Sequence, residues 1–283
     1  MKESPIKPDY FDDIFNLRYF MNIVLNGFGY FDGVAERVTE KIREISKREG
    51  GPPHPLADDS YYKERKDQET KLANFAKQQR ESGYTYLFSI AIVKLWSILE
   101  ACGDDFTIIL LKDRDRLMGV DAIRKLKCQI VEFISASENE QIEIIFEQLK
   151  QDIGATFKIG VGRFESMFKI LGFGGTVEEV PRRGILDFAE IRNVIVHNKS
   201  LADKRVMERC PWRKLKLGEP INTTREDFDM YFDMCVWYFL ELDERWDRIV
   251  LQRPADFPET QKISEFKEEI LSDINRKWES KLR

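Results

Sequence analysis

The segment Arg192-Asn193-Val194-Ile195-Val196-His197-Asn198 closes an apolar run, Gly184–Val196, whose spacing predicts a helix. An α-helix turns by about 100° per residue. On that wheel one broad apolar arc is formed by Phe188, Ile191, Ile195 and Val196. Arg192 falls inside this arc. The opposite, polar face carries Glu190, Asn193 and His197.

An arginine on a core-facing stripe is costly unless it is ion-paired or bound to an anion. Two alternatives follow for Arg192: it has a buried carboxylate partner, or it lines a site. His197 is one of two histidines in 283 residues. The other, His54, stands in a proline-rich loop and is expected to be exposed and inert.

The string from Glu190 to Asn198 resembles the signature of the HEPN superfamily. In that signature an arginine, a polar residue, three further residues and a histidine close the third helix of a small helical bundle. Here these positions are Arg192, Asn193 and His197. The resemblance implies an all-α, HEPN-like helical bundle with helical additions at both ends. The predicted divisions are an N-terminal helical extension, 1–82, the HEPN-like domain, 83–252, and a C-terminal helix, 253–283.

Apolar spacings of three and four recur along the chain and predict helices almost throughout, with no alternating strand pattern of useful length. The predicted helices include Tyr61–Glu81, Tyr84–Cys102, Glu138–Gln151, Val161–Leu171, Arg225–Val250 and Glu259–Lys281. A capping pattern at Thr223–Glu226 predicts the start of the fifth of these. One short hairpin is expected near Leu215–Ile221, around Gly218.

Composition restricts the class of protein. The chain carries a net charge of −5, and 34% of its residues are charged. The most apolar stretch, Tyr84–Leu111, is interrupted by charged residues, which favours a buried core helix over a membrane span. The four cysteines are widely spaced and form no CxxC pair, so neither a zinc site nor a disulfide framework is indicated. A cytoplasmic protein without metal or cofactor is expected.

The HEPN resemblance implies metal-independent endoribonuclease activity, in which an RNA 2′-OH attacks its own phosphodiester and leaves a 2′,3′-cyclic phosphate and a 5′-OH. The residue types suit that chemistry. His197 can move protons at neutral pH, and the Arg192 fork can hold a phosphate. Asn193, one turn from His197, can bond the phosphate or orient the imidazole.

Arg192 and His197 point about 140° apart in an unbroken helix. They converge within one chain only if the helix unwinds near His197. In-line cleavage benefits from an acid and a base, yet each chain offers one credible histidine. A two-fold dimer supplies two, and HEPN domains commonly dimerise with their motifs meeting in a cleft.

The sequence signals for residues that support the site are less specific. Glu100, near the end of the apolar helix, can pair with Arg192 or be a plain carboxylate. Glu190 can tune His197, although a solvated glutamate is the simpler interpretation. Residues 199–218 hold seven basic and two acidic side chains, a net +5 on an acidic protein. The candidates for RNA binding are Lys199, Lys204, Arg205, Arg209 and Arg213. The alternative is a solvated loop that pairs with acidic helices.

Three functions remain open from these patterns. The first is a dimeric HEPN-type endoribonuclease, serving as a toxin or an antiphage-defence effector and controlled by a neutralising or regulatory protein partner. The second is a non-catalytic HEPN-like scaffold for dimerisation, RNA binding or partner docking. The third is an all-α interaction protein whose Arg192 forms a buried salt bridge.

Overall fold

The computed structural model describes residues 8–28, 41, 44, 59–113, 117–127, 130–154 and 160–282. Within these residues the chain forms eleven α-helices and no strand, which confirms the all-α fold class. The expected hairpin near Leu215–Ile221 is not formed. In its place, a single antiparallel bridge joins Leu201 to Pro220. His54 and Cys128 lie outside the described residues.

The four helices predicted at Glu138–Gln151, Val161–Leu171, Arg225–Val250 and Glu259–Lys281 agree with the observed bounds to within three residues, whereas the motif helix begins at Glu179 and not at Gly184, and the helix Lys204–Arg209 was not predicted. The helices are α1 Pro8–Phe28, α2 Asp59–Glu81, α3 Thr85–Leu111, α4 Asp121–Arg124, α5 Ile130–Ser135, α6 Glu138–Gly154, α7 Val161–Ile170, α8 Glu179–His197, α9 Lys204–Arg209, α10 Arg225–Ile249 and α11 Pro258–Leu282. A 3-10 turn occupies Pro211–Arg213.

Contacts divide the chain into two compact units. The larger consists of Met1–Ile14 and Ser89–Arg283, and the smaller of Phe15–Phe88. In the smaller unit, Arg80 of α2 donates to the Phe28 carbonyl at 3.0 Å. The larger unit holds every residue of the predicted motif, so the site is built within one unit.

The core of the larger unit is aromatic. Phe106 of α3 lies 4.9 Å from Phe173 and 5.7 Å from Trp246, between ring centroids. On α10 the run Trp237-Tyr238-Phe239 is fully buried, as expected of core rather than a base-stacking platform. By length and composition α3 is apolar enough to cross a membrane, but 56% of its most apolar window is buried here, as in core helices of soluble proteins.

Helix α10 begins where the capping pattern predicts. The Thr224 hydroxyl accepts from the Asp227 amide, and the Asp227 carboxylate accepts from the Thr224 amide. This reciprocal capping satisfies two amides that have no partner within the helix. The capping partner is Asp227 rather than the predicted Glu226. Asp227 also contacts Arg213 and Lys281 in the buried ionic cluster described below, so the cap of α10 and that cluster share a residue.

The motif helix α8 is enclosed on several sides, because it packs against α7, α9, α10 and α11. Gly184 allows α8 and α10 to approach each other closely, since a β-carbon there would lie 1.9 Å from the methyl group of Met234 on α10. The predicted apolar arc is wrong at one position: Val196 is 47% exposed. The predicted polar face is wrong at Glu190, which is buried together with Asp187 one turn earlier.

Asp187 is the centre of a buried ionic cluster. Its two carboxylate oxygens accept from Arg213 at 2.6 Å each, and also from Tyr231 at 2.6 Å and Trp212 at 2.9 Å. Arg213 and Lys281 both reach Asp227 as well, at 2.9 and 2.6 Å. Two carboxylates are thus matched by two cations, and α8, α10, α11 and the 3-10 turn are joined through one charge-balanced set.

The cluster is ionised in the native state. Burial by itself would raise the pKa of the Asp187 carboxyl, but Arg213 and Lys281 outweigh burial and hold that pKa below its usual range. The pKa of Asp227 is lowered in the same way. Carboxyls with depressed native pKa values stabilise the fold above their unfolded value of about 3.9. This stabilisation is present at neutral pH and is lost as the pH falls below about 4.

We expect Arg213→Ala to lower the free energy of unfolding by about 3–5 kcal/mol, because two buried carboxylates would then share one lysine. Arg183→Ala is the matched control, since Arg183 pairs with Glu179 on the exposed surface of α8, the helix that carries Asp187. Its cost should stay below about 1 kcal/mol. Urea unfolding followed by circular dichroism measures both; equal costs for the two variants would contradict the role assigned to the cluster.

Candidate functional site

Arg192 has the carboxylate partner that its place on the helix requires. Its Nη2 lies 3.6 Å from Oε2 of Glu100, near the middle of α3. The pair is not sealed from water, because the side chains of Arg192 and Glu100 are 24% and 25% exposed. The guanidinium is therefore ion-paired, with a carboxylate that is only partly buried, and part of it faces solvent.

Asn193 is bonded to the same guanidinium. Nη1 of Arg192 donates to the Asn193 Oδ1 at 3.1 Å, although the two residues are adjacent in sequence. Nε of Arg192 is buried and has no hydrogen-bond acceptor among the described residues. Because this Nε is buried, the exposed part of the side chain, 24% of its surface, is the part that an external anion could reach.

Arg163 of α7 joins this group and was not predicted. Its Nη1 donates to Glu100 Oε1 at 3.0 Å, so Glu100 contacts two arginines from two different helices. The Arg163 side chain is 45% exposed. No sequence signal marked it, because Arg163 stands alone between Gly162 and Phe164, and only the packing of α7 beside α3 and α8 brings it to Glu100.

His197 is exposed and is the last residue of α8. The helix ends behind it in a tight turn, in which Asn198 and Ser200 both donate their amides to the Val194 carbonyl, at 2.9 and 3.1 Å. Lys199 and Ser200 take left-handed backbone conformations. Unwinding therefore starts after His197, and the helical geometry that keeps Arg192 and His197 about 140° apart is retained.

Glu190 is 1% exposed and fully engaged, so the prediction of a solvated carboxylate beside His197 is wrong. It accepts from Arg205 at 2.9 and 3.2 Å and from Arg209 at 2.8 Å. A buried carboxylate needs such partners to remain charged. Glu190 therefore anchors α9 against the motif helix and is placed to position the end of α8, not to exchange protons with a substrate.

The predicted RNA-binding residues separate into three kinds. Lys199 and Lys204 are exposed. Arg205 and Arg209 are partly exposed but bound to Glu190. Arg213, with its side chain 9% exposed, lies in the Asp187 cluster, so it cannot meet a polyanion in this conformation and its prediction is corrected. Three of the seven basic side chains along residues 199–218 are therefore bound to the buried carboxylates Glu190 and Asp187, while the four lysines are exposed.

Among the described residues, no group of three or more His, Cys, Asp or Glu side chains is placed to hold a metal ion. The described cysteines Cys102, Cys210 and Cys235 are buried free thiols. Burial, reinforced by nearby carboxylates, raises the pKa of Cys102, so this thiol stays protonated. The polar groups that the predicted motif and Glu100 present are a guanidinium, an amide, an imidazole and a carboxylate.

No family model matches this chain, and neither curated proteins nor solved structures contain a significant match. The functional interpretation consequently depends on the residues themselves.

Removing the carboxylate of Glu190 should loosen α9. We expect Glu190→Ala to speed tryptic cleavage after Arg205 and Arg209 by roughly tenfold, as lost charge-assisted hydrogen bonds lower local stability by about 1.5 kcal/mol. Glu179→Ala is the control, because it releases the Arg183 side chain on the same helix. Fragment mass spectrometry over time gives both rates. Unchanged cleavage in the 204–209 segment would mean that apolar packing alone holds α9.

Proposed function

We propose that this protein is a metal-independent endoribonuclease of the HEPN type. The observation that carries the proposal is the state of Arg192: paired with Glu100, bonded to Asn193 and partly solvent-exposed. A guanidinium that is ion-paired and also open to solvent can meet a phosphate without leaving its place on the helix. Arg192 lies one turn and a half from an exposed histidine.

The residues suit transesterification of RNA. The 2′-OH oxygen forms a bond to the adjacent phosphorus as the bond to the 5′-oxygen breaks. A base accepts the 2′-OH proton, and an acid supplies a proton to the leaving oxygen. His197 is the proton-transfer group, since its imidazole is exposed. Arg192 stabilises negative charge on the phosphoryl oxygens, with Asn193 holding its guanidinium.

The helix geometry favours a site shared by two chains. Arg192 and His197 diverge on a helix that stays regular through His197, so a second copy is the simplest source of the missing group. Exposed apolar side chains flank the histidine, namely Val196 at 47% and Leu201 at 38%. Apolar residues at such a position suit burial against another protein surface.

The wider role is carried over from the HEPN resemblance alone. RNA is the substrate, the protein is a cytoplasmic homodimer, and it acts as a toxin or an antiphage-defence effector. A nuclease of this kind requires control in its own cell, and a neutralising or regulatory protein partner would supply that control.

A non-catalytic, HEPN-like scaffold is the second candidate. The ion pairs that Glu100 makes with Arg163 and Arg192 favour it, because three charges contributed by three helices can stabilise packing without any substrate. An all-α interaction protein with Arg192 as a salt-bridge residue shares this argument. Both alternatives predict that loss of His197 has no biochemical effect.

Cleavage of a labelled RNA in EDTA separates these functions. We expect His197→Ala to reduce the rate by about 10²–10⁴, the usual loss when general acid–base help is removed, with an unchanged melting temperature because the side chain is exposed. Arg192→Ala should abolish cleavage. Arg192→Lys should keep stability better than activity, because an ammonium group lacks the bidentate fork. The product should carry a 2′,3′-cyclic phosphate.

His54→Ala is the control for the histidine variant. If His197→Ala cleaves as fast as the wild type, or if cleavage needs a divalent metal, the mechanism is wrong and the scaffold function takes its place.

Because two chains share the proposed site, activity should depend on dimerisation. Sedimentation at micromolar concentration should show a two-fold dimer, and specific activity should fall when the protein is diluted below its dissociation constant. Val196→Asp should weaken the dimer, since it places a charge in the apolar contact beside His197. Leu217→Asp, at an exposed leucine further along the chain, is the control. A strict monomer with full activity would contradict the shared site.

A further inference from the structure

Glu100, Arg163 and Arg192 form an ionic triad that carries an excess positive charge. Each residue comes from a different helix, α3, α7 and α8, so the packing of the bundle holds the triad in place. One carboxylate faces two guanidinium groups, which leaves a net charge of +1. All three side chains are between one-quarter and one-half exposed, so this charge is accessible from solvent.

The hydrogen bonding of the triad is also unbalanced. Glu100 accepts a hydrogen bond from Arg163 at 3.0 Å but lies 3.6 Å from Arg192, a contact better described as an ion pair. An arginine has five N–H donors, and Arg192 uses one of them on Asn193 while its Nε finds no acceptor. Because the Arg192 Nε is buried, the donors that can reach an external anion are the terminal N–H groups of the two arginines, whose side chains are 24% and 45% exposed.

Neighbouring carboxylates are already engaged elsewhere. Asp104, one turn after Glu100 on α3, pairs with Lys150 of α6 at 2.9 Å. Glu165, two residues after Arg163 on α7, accepts two hydrogen bonds from the buried Arg245 of α10. These acids are therefore held by other cations, and the surplus charge of the triad stays available for an external anion.

We infer that Arg163 and Arg192 together form a phosphate-binding subsite, in which Arg163 supplies a second guanidinium to the RNA phosphate that Arg192 contacts. The inference rests on the proposed function and extends it to a residue outside the Arg–Asn–His motif. Glu100 acts as a positioning residue, because its carboxylate holds two like charges at neighbouring places that would otherwise repel. Paired guanidinium groups suit the oxygens of a phosphodiester.

Binding of a single-stranded 2′-O-methyl RNA tests the subsite without cleavage, since that probe lacks the attacking hydroxyl. Each phosphate contact to a single strand contributes about 0.7 to the slope of log affinity against log salt. We expect Arg163→Ala to reduce the slope by about 0.7 and the affinity at 0.1 M salt by roughly fivefold. Arg163→Lys should restore the slope, but not the full affinity, because the fork is lost.

Arg276→Ala removes the same charge from an exposed ion pair on α11 and should leave both the slope and the affinity unchanged. Melting temperatures of the Arg163 variants should stay close to wild type, since exposed ion pairs contribute less than about 1 kcal/mol.

Two failures are distinguishable. If the wild type cleaves an ordinary RNA but Arg163→Ala binds the 2′-O-methyl probe with wild-type affinity and slope, the subsite is wrong and the nuclease function stands. If the wild type neither cleaves RNA nor binds the probe, the proposed function fails and the subsite fails with it.

Discussion

The motif helix buries two carboxylates one turn apart, and the rest of the larger unit is arranged around their neutralisation. Asp187 and Glu190 are almost inaccessible to water, and an unpaired buried charge costs several kcal/mol. Residues 204–213 remove that cost by folding back along α8 and delivering three arginines to the two carboxylates. The same fold-back fixes the path of the chain directly after His197, so an internal electrostatic requirement determines the surroundings of the exposed histidine.

The charged groups around Arg192, on another face of α8, are organised differently. In the Asp187 cluster two cations match two carboxylates, and the hydrogen bonds of those carboxylates are saturated. Around Glu100 the cations outnumber the carboxylates, exposure is higher and a donor remains unused. A buried cluster in which cations and carboxylates balance stabilises a fold, whereas a partly exposed cluster with excess cations is able to receive an anion. One nineteen-residue helix carries both kinds within a few residues.

Sequence patterns predicted the features that depend on residues close together in the chain, namely helices and their caps. The apolar spacing predicted α10 to within one residue, whereas α8 begins five residues before the predicted Gly184; the threonine pair before α10 predicted its cap. Ionic partners were not predictable in this way, because periodicity reports which residues share a helix face and not which distant segment packs there. Arg163 lacked any motif, and Arg213 was counted as a surface charge although Asp187, 26 residues earlier, holds it inside. The HEPN family and its chemistry remain proposals.

The contact of Lys281 with the Asp187 cluster affects the order in which this region is completed during synthesis. This lysine reaches the cluster from 94 residues further along the chain. Because ribosomes add about 5–20 residues per second, roughly 5–20 s separate the synthesis of these two residues. During that interval the residues of α8 have been made, whereas Lys281, the second cation of the Asp187 cluster, has not. Co-translational folding of this region is therefore completed from its distal end, and the Arg–Asn–His segment leaves the ribosome well before the side chain that finishes its support.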